Sequence, residues 1–308
     1  MGGPDSARED GPDGQGPVLV LADDATGALE MGALLAPCTV WLGVAAPSGV
    51  IDTESRHLSA EAATERMRAL LAVVPPGTRI FKKIDSTLRG PIAAELAVLA
   101  AAFPDRRMIV CPAYPQLGRT VRHGKLLVDG VPVNETDFAR DPRWPVADAT
   151  IPWQEVQDAE TDDDLARIAN ACDARDIAVG SGGLARWVLT PRGPVLAEVP
   201  RGRRWLVVCG SLHPVSLRQA ARARAIGVEV VSGPDAAEQA VRRKPEALII
   251  FGGETTFETL RGLGRDSVTT LGEVLPGVPL SMAGETPVIT KAGGFGADDL
   301  VRTIVGKR

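Results

Sequence analysis

Two aspartates stand side by side in the run LADDATGA (21–28), directly after the apolar stretch VLVLA. One of them can cap the helix that follows, whose first turn holds Thr26 and Gly27. The other exceeds that need, so Asp23 and Asp24 together suggest a site. Their adjacency excludes a phosphatase of the D-x-D-x-T kind, which needs both carboxylates on one side. A second cluster, FKKIDSTLRGP (81–91), crowds Lys82, Lys83, Asp85, Ser86, Thr87 and Arg89 behind another apolar run. Arginine offers a planar fork suited to a carboxylate or phosphate, and a nearby carboxylate can orient or deprotonate a hydroxyl.

A third segment, CPAYPQLGRTVRHGKLLVDGVPVNETDFARDP (111–142), adds Arg119 as an anion-capable group. His123 beside Arg122 reads more simply as a surface residue. Glycine-rich turns follow: GSGGLA (180–185), CGSLHP (209–214), FGGETT (251–256) and KAGGFG (291–296). Backbone amides in such turns can cradle phosphates. GSGGLA formally matches a dinucleotide fingerprint, but no strand ending in an acid follows at the required distance. No G-x4-G-K-[ST] occurs, so a Walker-type site is excluded.

These clusters share one placement, immediately after a short apolar run. Strands are expected at 18–22, 39–44, 79–84, 107–111, 177–180, 205–209, 228–231 and 247–251. Helices are expected near 25–35, 59–74, 91–103 and 161–174, the last with Thr161 and Asp164 as a capping box. Asp129-Gly130 between apolar runs predicts a hairpin. The alternation predicts an α/β fold of two domains, each a mainly parallel sheet flanked by helices. Ligands of such sheets bind beyond the carboxyl ends of strands. The Pro-, Gly- and Arg-rich stretch 191–204 suggests a break, giving a disordered tail over 1–16 and domains over 17–200 and 201–308.

The formal charge of −5 lacks the basic surplus of a nucleic-acid binder. Cys38, Cys111, Cys172 and Cys209 are scattered without metal-ligand spacing, which fits buried thiols in a reducing cytoplasm. No apolar stretch approaches the ~18 residues that span a bilayer, and no signal core is present at the start.

In order, LADDATGA, IDTESRHLSAEAA, KKIDSTLRG, the 111–142 block, DAETDDDL and GSGGLA resemble the four-carbon acid sugar kinase family, which includes D-threonate, D-erythronate and 3-oxo-tetronate kinases. The resemblance implies an N-terminal sugar-acid-binding domain and a C-terminal ATP-binding domain. GSLHPVSLRQ, GGET and KAGGFG resemble its nucleotide blocks, which implies nucleotide contacts from Ser211, Gly252, Gly253, Glu254, Thr255 and Gly293. Between Gln219 and Gly252 this chain has 32 residues where family members carry a longer stretch.

The expectation is therefore in-line transfer of the ATP γ-phosphoryl to a hydroxyl of a four-carbon sugar acid. Asp24 or Asp85 would accept or orient the hydroxyl proton. Arg89, Lys83 and Arg119 would bind the substrate carboxylate, with Asp23, Thr26 and Ser86 lining the substrate. Mg²⁺ would accompany ATP, held by phosphates and water rather than by a protein site. The expected partners are the sugar acid and ATP, with no nucleic acid or membrane; a homodimer is one option. The rival readings are a non-catalytic sugar-acid-binding protein with a degenerate ATP domain, and an NAD-dependent dehydrogenase built on GSGGLA.

Overall fold

The run VLVLA forms strand β1 (Val18–Ala22), with four of its five residues buried, as a strand flanked on both sides requires. In this computed structural model the described residues are 17–306, apart from 142 and 191–194. The tail expected over 1–16 and the start of the 191–204 break lie outside them.

Along the chain follow α1 (Ala25–Leu34), β2 (Cys38–Leu42), β3 (Gly49–Asp52), α2 (Ala60–Leu71), β4 (Arg79–Lys83), α3 (Ile92–Ala102) and β5 (Met108–Cys111). Next come β6 (Arg119–Arg122), β7 (Lys125–Val128), β8 (Val131–Pro132), α4 (Asp162–Asn170), β9 (Ile177–Gly180) and α5 (Gly182–Leu189). The remainder is β10 (Trp205–Cys209), α6 (Pro214–Ala225), β11 (Glu229–Ser232), α7 (Ala236–Arg243), β12 (Ala247–Phe251) and α8 (Gly253–Gly262). It ends with β13 (Ser267–Leu275), β14 (Val278–Ala283), β15 (Thr286–Lys291) and α9 (Leu300–Val305).

Contacts divide the chain into two units, one of residues up to Asp23 with Ala45–Val188, the other of Asp24–Val44 with Leu189 onward. The first carries a fully parallel sheet in the order β3-β1-β4-β9-β5. Its β6-β7-β8 sheet is antiparallel. The β7–β8 turn is the expected hairpin: Asp129 and Gly130 take φ of 51° and 81°, as a tight primed turn demands. Helix α4 begins with the expected capping box of Thr161 and Asp164.

In the second unit β11-β10-β12-β15 run parallel. The sheet then continues antiparallel through β14, β13 and β2. The meander β13–β15 stands where the sequence suggests continued strand–helix alternation. Its strands mix polar and apolar residues and are joined by turns at Gly277 and Gly284, both at positive φ. Trp205, Val207, Ile249, Phe251, Leu280 and Ile289 build the core with Ala220, Leu300 and Ile304 from the helices.

The sequence reading places 24–44 in the first domain, whereas these residues pack with the later part of the chain. β2 pairs with β13, and α1 lies on β13, β14 and α8. The approach is close at Gly32, where a Cβ would stand 2.5 Å from Val40 Cγ2 and 2.8 Å from Thr270 Cγ2. Among the described residues no helix is long and apolar enough to cross a membrane.

Candidate active site

Parallel register sets Ala22 of β1 opposite Asp52 of β3 and Lys83 of β4. The turns that follow these strands therefore meet at one edge of the first unit's sheet. Asp23 opens one of them, and its backbone oxygen accepts from the amides of Ser55 and Arg56, both at 3.1 Å. The Arg56 fork then closes on the Asp23 carboxylate at 2.7 and 2.8 Å. Nη2 of Arg56 also lies 3.7 Å from Asp85 Oδ1.

Asp85 is gripped from the other side by Arg89, at 2.8 Å from Nε and 3.0 Å from Nη2. The Thr87 hydroxyl donates to it at 2.5 Å. Arg89 Nη1 reaches Asp141 at 3.3 Å, and Phe138 lies under the guanidinium at 5.7 Å. The result is a chain of alternating charges, Asp23–Arg56–Asp85–Arg89–Asp141.

Burial pushes the Asp85 carboxyl up, but Arg89 and Arg56, with hydrogen bonds from Arg89 and Thr87, hold it well below the usual carboxylate range. Asp85 in turn raises Arg89. Arg119 sits in the same field; burial lowers its guanidinium, and its Nε is buried without a partner. Lys83 is buried, its ammonium donating to the Ile84 carbonyl at 3.0 Å. Ser86 is half-buried in the same turn.

Lys82 faces away from this edge and makes a fully buried ion pair with Glu95 at 2.8 Å, joined by the Ser55 hydroxyl at 2.6 Å. His123 is an exposed turn residue at φ 52°. Two of the GSGGLA glycines serve packing: a Cβ on Gly180 or Gly183 would strike the carbonyls of Cys111 or Ala113. That close approach accounts for them without a dinucleotide.

In the second unit three turns follow the neighbouring parallel strands β10, β12 and β15. They bring Ser211, Gly252 and Gly293 together, since a Cβ on Gly293 would stand 2.6 Å from Ser211 Oγ and one on Gly252 3.5 Å from Ser211 Cβ. Gly252, at φ 101°, precedes α8 and leaves its amino end without a side-chain cap. Thr255 lies buried in the first turn of α8 against Gly210, and Glu254 is exposed beside it.

Asp24 reaches the same place. It caps α1, accepting from the Gly27 amide at 2.9 Å and the Thr26 hydroxyl at 2.6 Å. Its carboxylate lies against Gly253, where a Cβ would stand 3.2 Å from Asp24 Cγ.

The sequence reading did not single out Arg56, Asp141, Lys291 or Gln219 as site residues. Arg56 lies in a quoted motif, IDTESRHL, but its partner Asp23 stands 33 positions away. Only the parallel register reveals that pairing.

Residues 18–153 match the sugar-binding N-terminal domain family and residues 233–301 the nucleotide-binding C-terminal domain family. A D-threonate kinase of Cupriavidus necator is 30% identical over 396 aligned positions, covering 91% of this chain and 95% of the relative. That alignment exceeds the 308 residues of this chain, so stretches of the relative have no counterpart here. A D-threonate kinase of Bordetella bronchiseptica is 29% identical, covering 82% of this chain and 84% of the relative. A solved Salmonella typhimurium protein shares the fold at 19% identity, with a TM-score of 0.76 over 95% of this chain and 99% of its own. A Haemophilus influenzae protein does so at 20% identity, with a TM-score of 0.70 over 94% and 99%. With both domain families in order and a relative aligned across nine-tenths of its length, the chain belongs to the four-carbon acid sugar kinase family.

Proposed function

We propose that the protein is an ATP-dependent kinase that phosphorylates a hydroxyl of a four-carbon sugar acid. The observation that carries this reading is the meeting, in one unit, of three glycine turns at the uncapped amino end of α8, where Gly253 lies against the Asp24 carboxylate. Its kinase relatives support the reaction class.

The residues present fit a polyphosphate. Gly252 and Gly253 leave the first amides of α8 unshielded, and the helix dipole favours an anion there. Ser211 and Gly293 would border the phosphates, with Glu254 and Thr255 following in the first turn of α8. ATP supplies the phosphoryl group that is transferred. Among the described residues no group of three or more His, Cys, Asp or Glu side chains is arranged to hold a metal. Mg²⁺ would arrive on the triphosphate, whose oxygens and bound water suit it.

On the acceptor side the two candidate carboxylates differ. Asp85 is locked between two guanidinium groups, which suits it to holding Arg89 rigid and makes it a poor proton acceptor. Asp24 accepts from the Thr26 hydroxyl and the Gly27 amide and adjoins the proposed phosphate site, which suits it to orient and deprotonate the hydroxyl. The Nη1 edge of Arg89 would take the substrate carboxylate in place of Asp141, with Arg119 and Lys83 adding positive charge. Asp23 would hold Arg56 in register, and Thr26 and Ser86 would line the substrate.

A screen of D-threonate, D-erythronate and 3-oxo-tetronate, read by ADP release, tests this reading. ADP formed with one of them, and none without an acceptor, is the expected result. Sugar-acid binding without ATP binding at millimolar nucleotide would instead identify a non-catalytic binding protein.

A further inference from the structure

Lys291, the last residue of β15, is 1% exposed. Its ammonium donates to the carbonyls of Ala292 at 2.8 Å and Gly293 at 2.9 Å, and to Ser216 Oγ at 3.1 Å. The ring of Phe251 lies 4.6 Å beneath it. Ser216 passes the contact on, donating to the Gly293 carbonyl at 2.5 Å. From α6, the fully buried Gln219 sends its amide nitrogen to the carbonyls of Phe295, Gly296 and Ala297 at 3.0, 3.1 and 2.8 Å. Its own oxygen is buried without a partner, so the hydrogen bonds of this side chain go to that loop.

Five of the six carbonyls from 292 to 297 are thus held from below. Across a trans peptide the N–H points opposite to the preceding carbonyl. The amides of Gly293, Gly294, Gly296 and Ala297 therefore face away from the buried side chains. Among the described residues none of these four amides donates to a protein acceptor. Three of the four belong to glycines, which carry no side chain to shield them.

The charge is as telling as the bonds. The groups facing the ammonium are Cys209 from β10, Phe251 from β12, Ser216 from α6 and two carbonyls of its own loop. Among the described residues no carboxylate pairs with it. Burial accordingly lowers the Lys291 ammonium to about 7, an expensive arrangement in a mainly apolar core. An anion seated on the outward amides would supply the missing counter-charge.

We propose that Lys291 and Gln219 are positioning residues for the nucleotide, gripping the 292–297 loop by its carbonyl oxygens so that its glycine amides present to phosphate. The proposal rests on the kinase reading above, and it assigns the loop as a second phosphate cradle beside the amino end of α8.

The test compares wild type with Lys291→Met, Lys291→Gln and Gln219→Leu in calorimetric binding of ATP and of inorganic tripolyphosphate, in melting temperature, and in KM for each substrate. Removing a buried, acid-free ammonium leaves the melting temperature equal or higher if its role is positioning. ATP and tripolyphosphate affinity should fall about 10-fold or more in Lys291→Met and Gln219→Leu, the scale of one or two lost charge-assisted contacts. KM for the sugar acid should stay within about 2-fold, and Lys291→Gln, which still donates to carbonyls, should recover part of the loss. Variants that bind both polyphosphates like wild type would overturn the proposal. So would variants that lose their fold or shift both KM values together, because the side chains would then be structural. A wild type that binds neither ATP nor tripolyphosphate would sink the kinase reading itself, and this proposal with it.

Discussion

The Asp24 carboxylate and the Cα of Gly253 are packed so closely that any side chain at 253 would collide with Oδ2. One residue caps the first helix of its unit and the other opens α8, so the proposed base and the proposed phosphate site are built as one piece. Gly253→Val should therefore abolish measurable turnover and weaken ATP binding by about 10-fold or more, since it both shields the amides and displaces the carboxylate. Calorimetry with ATP and a separate sugar-acid titration check this. Near-normal ATP heat in the variant would remove α8 from the site.

The two jobs of Asp24 can be separated by substitution. Asp24→Asn keeps an oxygen for the Gly27 amide, so the cap survives, whereas Asp24→Ala loses it at about 1 kcal/mol. The expected outcome is a fall in kcat of ~10²-fold or more in both, with only the alanine variant melting lower. An asparagine variant with wild-type kcat would show that Asp24 is a cap and nothing else.

Asp85 carries a pH dependence whose sign follows from its environment. Its carboxyl is held below the ordinary value in the fold, so it contributes stability that is present above about pH 4 and is lost as acid protonates it. Asp85→Asn should lower stability at pH 7 and flatten the acid limb of the melting-temperature profile below pH 4. An unchanged acid limb would mean that the Arg56 and Arg89 contacts do not hold in solution.

Much of the frame was legible because local signals agreed with tertiary packing. VLVLA, IAVG, WLVVC and ALIIF are strands at the positions that their apolar runs indicate. Thr161 and Asp164 announce a helix start through chemistry that needs no distant partner. What escaped depended on distant pairing. β13–β15 carry no clean apolar period because β14 and β15 are buried on both faces and buried positions include Thr270, Glu273, Ser281 and Thr290, and GVID at 49–52 is too short to stand out. Asp23, Asp24, Asp85 and Arg89 were visible as charges after strands. Their division of labour was not, because Arg56, Asp141 and Gly253 enter from remote positions. Nothing local in KAGGFG marks Lys291 as buried, because Ser216 and Phe251 reach it from α6 and β12.

That lysine predicts an unusual alkaline behaviour. With its folded value lowered to about 7 against ~10.4 unfolded, the unfolded chain binds the extra proton between those limits. Stability should therefore rise with pH from about 7 to 10, by at most ~1.4 kcal/mol per pH unit. Comparing denaturant midpoints of wild type and Lys291→Met across this range isolates the effect. A difference that does not vary with pH would show Lys291 to be an ordinary solvated cation.

The early placement of α1 and β2 in the later unit has a consequence for how the protein is made and cut. Both elements leave the ribosome well before β13, the strand that β2 pairs with, has been synthesised. Until then an apolar helix with nine of its ten residues destined for burial has only β2 of its final neighbours from that unit. A gene split near codon 190 would yield a front fragment carrying that helix without β13–β15, and a rear fragment whose β13 lacks β2 and presents a bare edge. Fragments that respect the fold would instead need residues 24–44 joined to 189–308 by a new linker or by permutation of the chain.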